Sequence, residues 1–145
     1  MALHMIKLVV GIDDLEDFFQ WQSAHEYDYN GLPANIVQTR FQPKQADEIL
    51  SSGGSIYRVI KNRILCRQKI IGFEKVESKE KGSQCLIMCD PEIIQTYATP
   101  KRPFQGWRYL KQEQAPKDRG LYLGGGQHEE IPPELEAELA ESGLL

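Results

Sequence analysis

The stretch RPFQGWRYL, residues 102–110, concentrates residue types that could grip a ligand. Lys101, Arg102, Arg108 and Lys111 supply positive charge, and Phe104, Trp107 and Tyr109 supply flat faces. No acid occurs between Ile93 and Gln112. Aromatic faces beside cations hold unpaired bases, and stacking contributes roughly 1–3 kcal/mol per base. The same residues suit a structural role. Trp107 and Tyr109 fall on one face of a short extended segment and would plug into a core, with Gly106 giving the backbone room to turn. The roles are compatible if Phe104 and Tyr109 anchor while Arg102, Trp107 and Arg108 face outward. Lys44, Tyr57 and Arg67 complete the candidate ligand contacts.

Arg58 stands apart. It falls between Ile56 and Ile60 on one strand face, where an apolar residue is expected. A buried guanidinium without a partner is costly, so either an acid meets it or that face opens to a ligand. Other signals are weaker. Gly124-Gly125-Gly126 lacks the Lys-Ser/Thr of a phosphate-binding loop and reads as a linker. His4, His25 and His128 lie near no nucleophile motif. Asp47 and Glu48 point apart on a helix and read as solvated carboxylates. Cys66, Cys85 and Cys89 have no metal-ligand spacing; they read as buried thiols, and their odd number suits a reducing cytosol. No metal or cofactor is implied.

The elements that must position these residues follow from local patterns. Residues 5–11 read as a strand, followed by a helix with an Asp13/Glu16 capping pattern and an apolar stripe of Leu15, Phe18 and Phe19. Asn30-Gly31-Leu32-Pro33 marks a turn, residues 35–41 a strand, and 44–50 a short helix ended by Ser51-Ser52-Gly53-Gly54. Residues 55–61 and 63–77 read as strands joined by a tight turn at Asn62-Arg63, with a bulge expected near Arg67-Gln68-Lys69. Residues 79–84 form a hairpin loop, and 85–90 read as a strand buried on both faces. From Pro91 to Gly126 the pattern suggests a long ordered loop. Residues 132–141 read as an acidic amphipathic helix.

The 145 residues suit one domain, expected over 1–123, with 124–145 a glycine hinge and acidic helix. No apolar run approaches the roughly 18 residues that span a bilayer, and no signal-peptide pattern is read at the N-terminus. The net charge of -4 is unevenly spread. Residues 1–32 hold six acids and one base, 120–145 six acids and no base, and 33–119 nine acids and sixteen bases, a net of +7. A basic centre between acidic ends suits an anionic partner.

PKQADEIL, GGSIYRVIKN, RQKIIGF and above all RPFQGWRYL resemble the bacterial family of domain of unknown function 1489, over about residues 4–123. The resemblance implies no activity, and at Arg58 the chain departs from the Trp that it implies. The order of elements also resembles, at the level of fold, the PUA-like group with its ASCH and EVE domains, which implies RNA or modified-base binding. The expected fold is α+β: a twisted, mostly antiparallel sheet curled toward a small PUA-like barrel, with two or three packed helices. The leading function is a cytosolic nucleic-acid or nucleotide-binding module whose partner is single-stranded RNA or a modified nucleotide. A small enzyme on an anionic substrate, using the same cations as a clamp, and a protein-interaction module are the alternatives.

Overall fold

Met5 and Lys7 alternate with His4, Ile6 and Leu8 along the first strand, β1 (Leu3–Leu8), and both of its faces are covered, by Met5 on one and by His4 and Ile6 on the other. The computed structural model describes residues 1–125. The helix expected over 132–141, Gly126 and His128 lie outside the described residues. Helix α1 (Leu15–Ala24) starts one residue later than the capping pattern suggests. Asp14 is its N-cap, and its carboxylate accepts the Asp17 amide at 2.8 Å. A short strand β2 (Tyr27–Tyr29), which the sequence does not announce, forms a hairpin with β3 (Leu32–Thr39). Asn30 and Gly31 turn that hairpin with φ of 52° and 87°. Helix α2 (Ala46–Ser51) then leads into β4 (Ser55–Ile60).

Strand β5 (Arg63–Ser78) is the spine of the sheet. Its first half pairs with β4 on one side and β7 (Ile94–Pro100) on the other; its second half pairs with β6 (Gly82–Cys89). The β4–β5 turn is made by Lys61 and Asn62, both at positive φ, one residue earlier than expected. Residues 67–69 pair regularly with 55–57, so the expected bulge is not there. The register slips instead between Ile64 and Cys66 and between Ile70 and Gly72. The polar residue that breaks the alternation, Gln68, points inward because amide partners await it.

Residues 91–125 are not the long loop that their prolines suggest. They hold β7, β8 (Trp107–Lys111), a 3-10 turn (Gln112–Gln114) and β9 (Asp118–Leu121). Pro100 ends β7, and Pro103 and Pro116 fall between strands, where a missing N–H costs no ladder bond. The full order is β2-β3-β6-β5-β4-β1-β8, with β7 on β5 and β9 on β7. The fold is thus α+β, with one nine-stranded sheet that is not closed and, among the described residues, two α-helices. All pairs are antiparallel except β1 with β4.

One core cluster joins Met5, Val37, Ile49, Ile56, Ile70, Ile87 and Cys89. A second joins Leu15 and Phe18 of α1 to Ile60, Cys66, Ile93 and Tyr122. The three cysteines are free and buried, as expected. Helix α1 is also held by polar bonds. Asn35 Nδ2 donates to the carbonyls of Gln22 and His25 at 2.9 and 3.1 Å, where the end of the helix leaves carbonyls short of donors. Gln68 Nε2 donates to Asn35 Oδ1 at 3.0 Å and to the Asp90 carbonyl at 3.1 Å. At the other end, Glu16 Oε1 accepts from the Tyr122 hydroxyl at 2.6 Å and the Gly125 amide at 2.8 Å.

Gly54 lets the turn after α2 pass close to β1: a Cβ there would overlap the Leu3 carbonyl oxygen and lie 2.9 Å from Ile49 Cγ2. Backbone cannot move aside as a side chain can. Gly54→Ala is therefore expected to destabilise by about 1–3 kcal/mol or more, the usual range for overpacking. Urea unfolding of the variant checks this, and an unchanged midpoint would contradict the packing described.

Candidate functional site

The register across four strands places Trp107 opposite Lys7, Lys7 opposite Arg58, and Arg58 opposite Cys66. Directly paired residues share a face, so an indole, an ammonium, a guanidinium and a thiol form one row across β8, β1, β4 and β5. The adjacent row, Arg108, Ile6, Tyr57 and Arg67, takes the opposite face. The six candidate contacts therefore do not make one surface. Trp107 lies on the first face, and Tyr57, Arg67 and Arg108 lie on the second. Lys44 and Arg102 stand exposed outside the strands.

On the first face a cleft of about 380 Å³ opens between the end of β1, helix α1 and strand β3. Its floor carries Lys7 and Arg58, and α1 contributes Phe18, Trp21 and Gln22. β1 and β3 both line it although they stand four places apart in the strand order. No carboxylate, histidine or thiol lines it among the described residues.

Arg58 is 6% exposed. Its Nε donates to the Lys7 carbonyl at 3.2 Å and its Nη2 to the Leu8 carbonyl at 3.1 Å. The guanidinium carbon sits 5.5 Å from the centre of the Phe18 ring. Of the two outcomes that the sequence leaves open for Arg58, a structural ion pair is not the one found: among the described residues no acid pairs with it. Burial pushes its pKa down, against the opposing influence of the neighbouring Cys66 and Cys89. Both thiols are themselves pushed up to about 12 by burial, which makes them neutral and inert. Lys7 is also pulled down, first by burial and then by Arg58.

At the mouth, Trp21 is 54% exposed. It stacks on His25, with ring centres 3.8 Å apart and planes 20° from parallel. His25 Nδ1 lies 2.8 Å from the Trp21 carbonyl, which fixes the imidazole beneath the indole. Trp21 and Lys7 escaped sequence reasoning. Trp21 falls beside the apolar stripe of α1 and reads as margin. Lys7 carries the same signal as Arg58, a cation on an inward strand position between Met5 and Val9.

RPFQGWRYL is mainly an anchor. Trp107 packs on the Met5 and Ile49 cluster and meets Tyr109 edge-on at 4.8 Å. The Tyr109 hydroxyl accepts the Gln45 amide at 3.1 Å. On the other side Arg108 lies 4.7 Å and Lys101 5.9 Å from the Phe104 ring centre. Arg67 is likewise occupied. Its Nε and Nη2 meet the Asp118 carboxylate at 2.9 and 2.8 Å, and its Nη1 donates to Ser55 Oγ at 2.7 Å. This fork ties β5 to β9 beside a second cavity of about 370 Å³ that also includes His4 and Tyr57.

The sequence matches the family model "Protein of unknown function (DUF1489)" over residues 5–145. No curated protein and no solved structure matches. The family match does not extend to a PUA-like relationship. No helix among the described residues is long and apolar enough to cross a membrane.

His4 gives this second face a pH dependence. Its Nδ1 accepts the Ser55 amide at 2.9 Å, so Nε2 carries the proton and donates to Gln112 Oε1 at 2.8 Å. Burial lowers its pKa below the ordinary 6.5, and the bond to Gln112 opposes this. The unfolded chain therefore binds the proton first. Its stabilising contribution is complete above about pH 6.5 and is lost as pH falls toward the folded value. Urea midpoints measured from neutral to mildly acidic pH should fall more for the native chain than for His4→Gln. Parallel curves would contradict a buried neutral imidazole.

Proposed function

The chain belongs to the DUF1489 family of proteins of unknown function, and we propose that it is a binding module for a nucleotide or a single-stranded nucleic-acid end, held in the Lys7–Arg58 cleft. One observation carries this reading: Arg58 is buried, faces a cleft and, among the described residues, has no acid to balance it. Such a cation is costly by itself, and an anion entering the cleft would offset that cost with charge-assisted bonds. Lys7 adds a second positive charge. Trp21, backed by His25, offers a flat face within the same cleft.

A phosphate on the two cations and a base on the indole use all three features. This supports nucleotide-class ligands over a bare anion. The cleft residues include no carboxylate, histidine or thiol to activate a water, which supports binding rather than hydrolysis. A PUA-like relationship, proposed from the order of elements, agrees with this ligand class. Three buried free thiols agree with the proposed reducing cytosol.

Isothermal titration with AMP and with a short single-stranded oligoribonucleotide tests the reading, each arm separating a free nucleotide from a strand end. Arg58→Met should weaken binding about 10-fold or more, as losing a charged hydrogen bond of roughly 1.5–3 kcal/mol requires. Trp21→Ala should weaken it by about 5-fold or more if a base stacks there. Inorganic phosphate should compete with AMP, and added salt should loosen all ligands. Absence of binding by both AMP and the oligonucleotide would overturn the proposal.

A further inference from the structure

The residues that flank Lys7 across the sheet are Trp107 on β8 and Arg58 on β4. Neither can supply a counter-charge: one is an uncharged indole, the other a second cation. No carboxylate lines the cleft either, among the described residues, and no ion pair is made by Lys7. A lysine so placed differs from the solvated lysines of a protein surface, such as Lys44 and Lys79, which are exposed. Desolvation and a neighbouring cation are the two conditions that leave an amine unprotonated and nucleophilic.

We propose that Lys7 is a carbonyl-reactive amine, whose Nζ forms an imine with an aldehyde or ketone that also carries an anionic group held by Arg58. The proposal rests on the reading of the cleft as an anion site and extends it from binding to covalent capture. In the first step the Nζ lone pair attacks the carbonyl carbon, and the carbonyl oxygen takes up a proton as the nitrogen loses one. The resulting carbinolamine loses water as the C=N bond forms. No oxidant or reductant is needed, and the step is reversible. The lowered pKa of Lys7, caused first by burial and second by Arg58, enlarges the neutral fraction from which attack proceeds. The anionic group places the carbonyl within the cleft, and effective concentration favours attack there over attack by exposed lysines.

The probe is pyridoxal 5′-phosphate, an aldehyde bearing a phosphate, applied to the full chain at neutral pH and a low molar ratio. Borohydride then delivers hydride to the imine carbon and converts it to a stable secondary amine, and peptide mass spectrometry locates the label. Lys7 should be labelled at least about 5-fold faster than Lys44 or Lys79. Its labelling rate should reach half its maximum at lower pH than theirs. Arg58→Met should reduce the preference for Lys7. Lys7→Arg, shown by a thermal melt to be folded, should remove label from that position. Label spread over surface lysines with Lys7 no faster would overturn the inference. AMP titration on the same preparation separates the two readings. Binding of AMP with Lys7 unlabelled would sink the amine chemistry and keep the binding module. Selective labelling of Lys7 without AMP binding would uphold the amine and remove the nucleotide.

Discussion

Asn35 is the residue on which the cleft depends. Its side chain reaches from β3 to the last carbonyls of α1, at Gln22 and His25, and accepts in turn from Gln68 on β5. These are buried amides, and a buried amide left unpaired costs roughly 1–3 kcal/mol. The bonds are directional, so they fix where the C-terminal end of α1 lies in a way that apolar packing alone would not. Because Gln22 and His25 are held, Trp21, next to Gln22 in the chain, is held as well, and its ring meets the imidazole of His25. Apolar contacts of Leu15 and Phe18 with Ile60 and Cys66 secure the other end. The cleft exists because a helix is fastened at both ends over two sheet positions that carry cations.

The two faces of the sheet treat their charges in opposite ways. On one, Arg67 meets a carboxylate and a hydroxyl with three of its donors, and its pKa is raised, chiefly by the bond to Asp118. On the other, Arg58 reaches two backbone carbonyls, lies near an aromatic ring and is pulled down by burial. The first arrangement is complete in itself. The second lacks a negative charge among the described residues. That contrast, more than the count of basic residues on the surface, distinguishes a structural arginine from one available to a ligand.

Much of the fold was legible in the sequence, because its signals are local. Apolar and β-rich composition marked β1, β4 and β5, and Asn30-Gly31 marked a turn, though not the short strand before it. The break in alternation at Arg58 pointed to the residue that matters most in the cleft. The rest depended on pairings over long sequence distances. Lys7 lies beside Arg58 through the sole parallel pair, and no turn signal announces a parallel partner. Strands β8 and β9, of five and four residues, are too short for a pattern to emerge, and the prolines around them read as loop. Charge clustering in RPFQGWRYL was also misleading for the site. In a strand, adjacent residues point to opposite faces, so Trp107 and Arg108 look like one patch in sequence and act on separate sides.

The position of β1 also shapes how the chain can assemble on the ribosome. This strand is made first, yet its neighbours are β4, about fifty residues later, and β8, about a hundred residues later. At synthesis rates of about 5–20 residues per second, roughly 5–20 s separate the emergence of β1 from that of β8. During that interval Met5 and Ile6, both buried in the finished fold, have no completed sheet to cover them. The hairpin of β4 and β5 can close on its own as soon as its turn emerges. β1 can therefore join the sheet only once β4 has emerged, and β8, made last of the three, closes over its free edge.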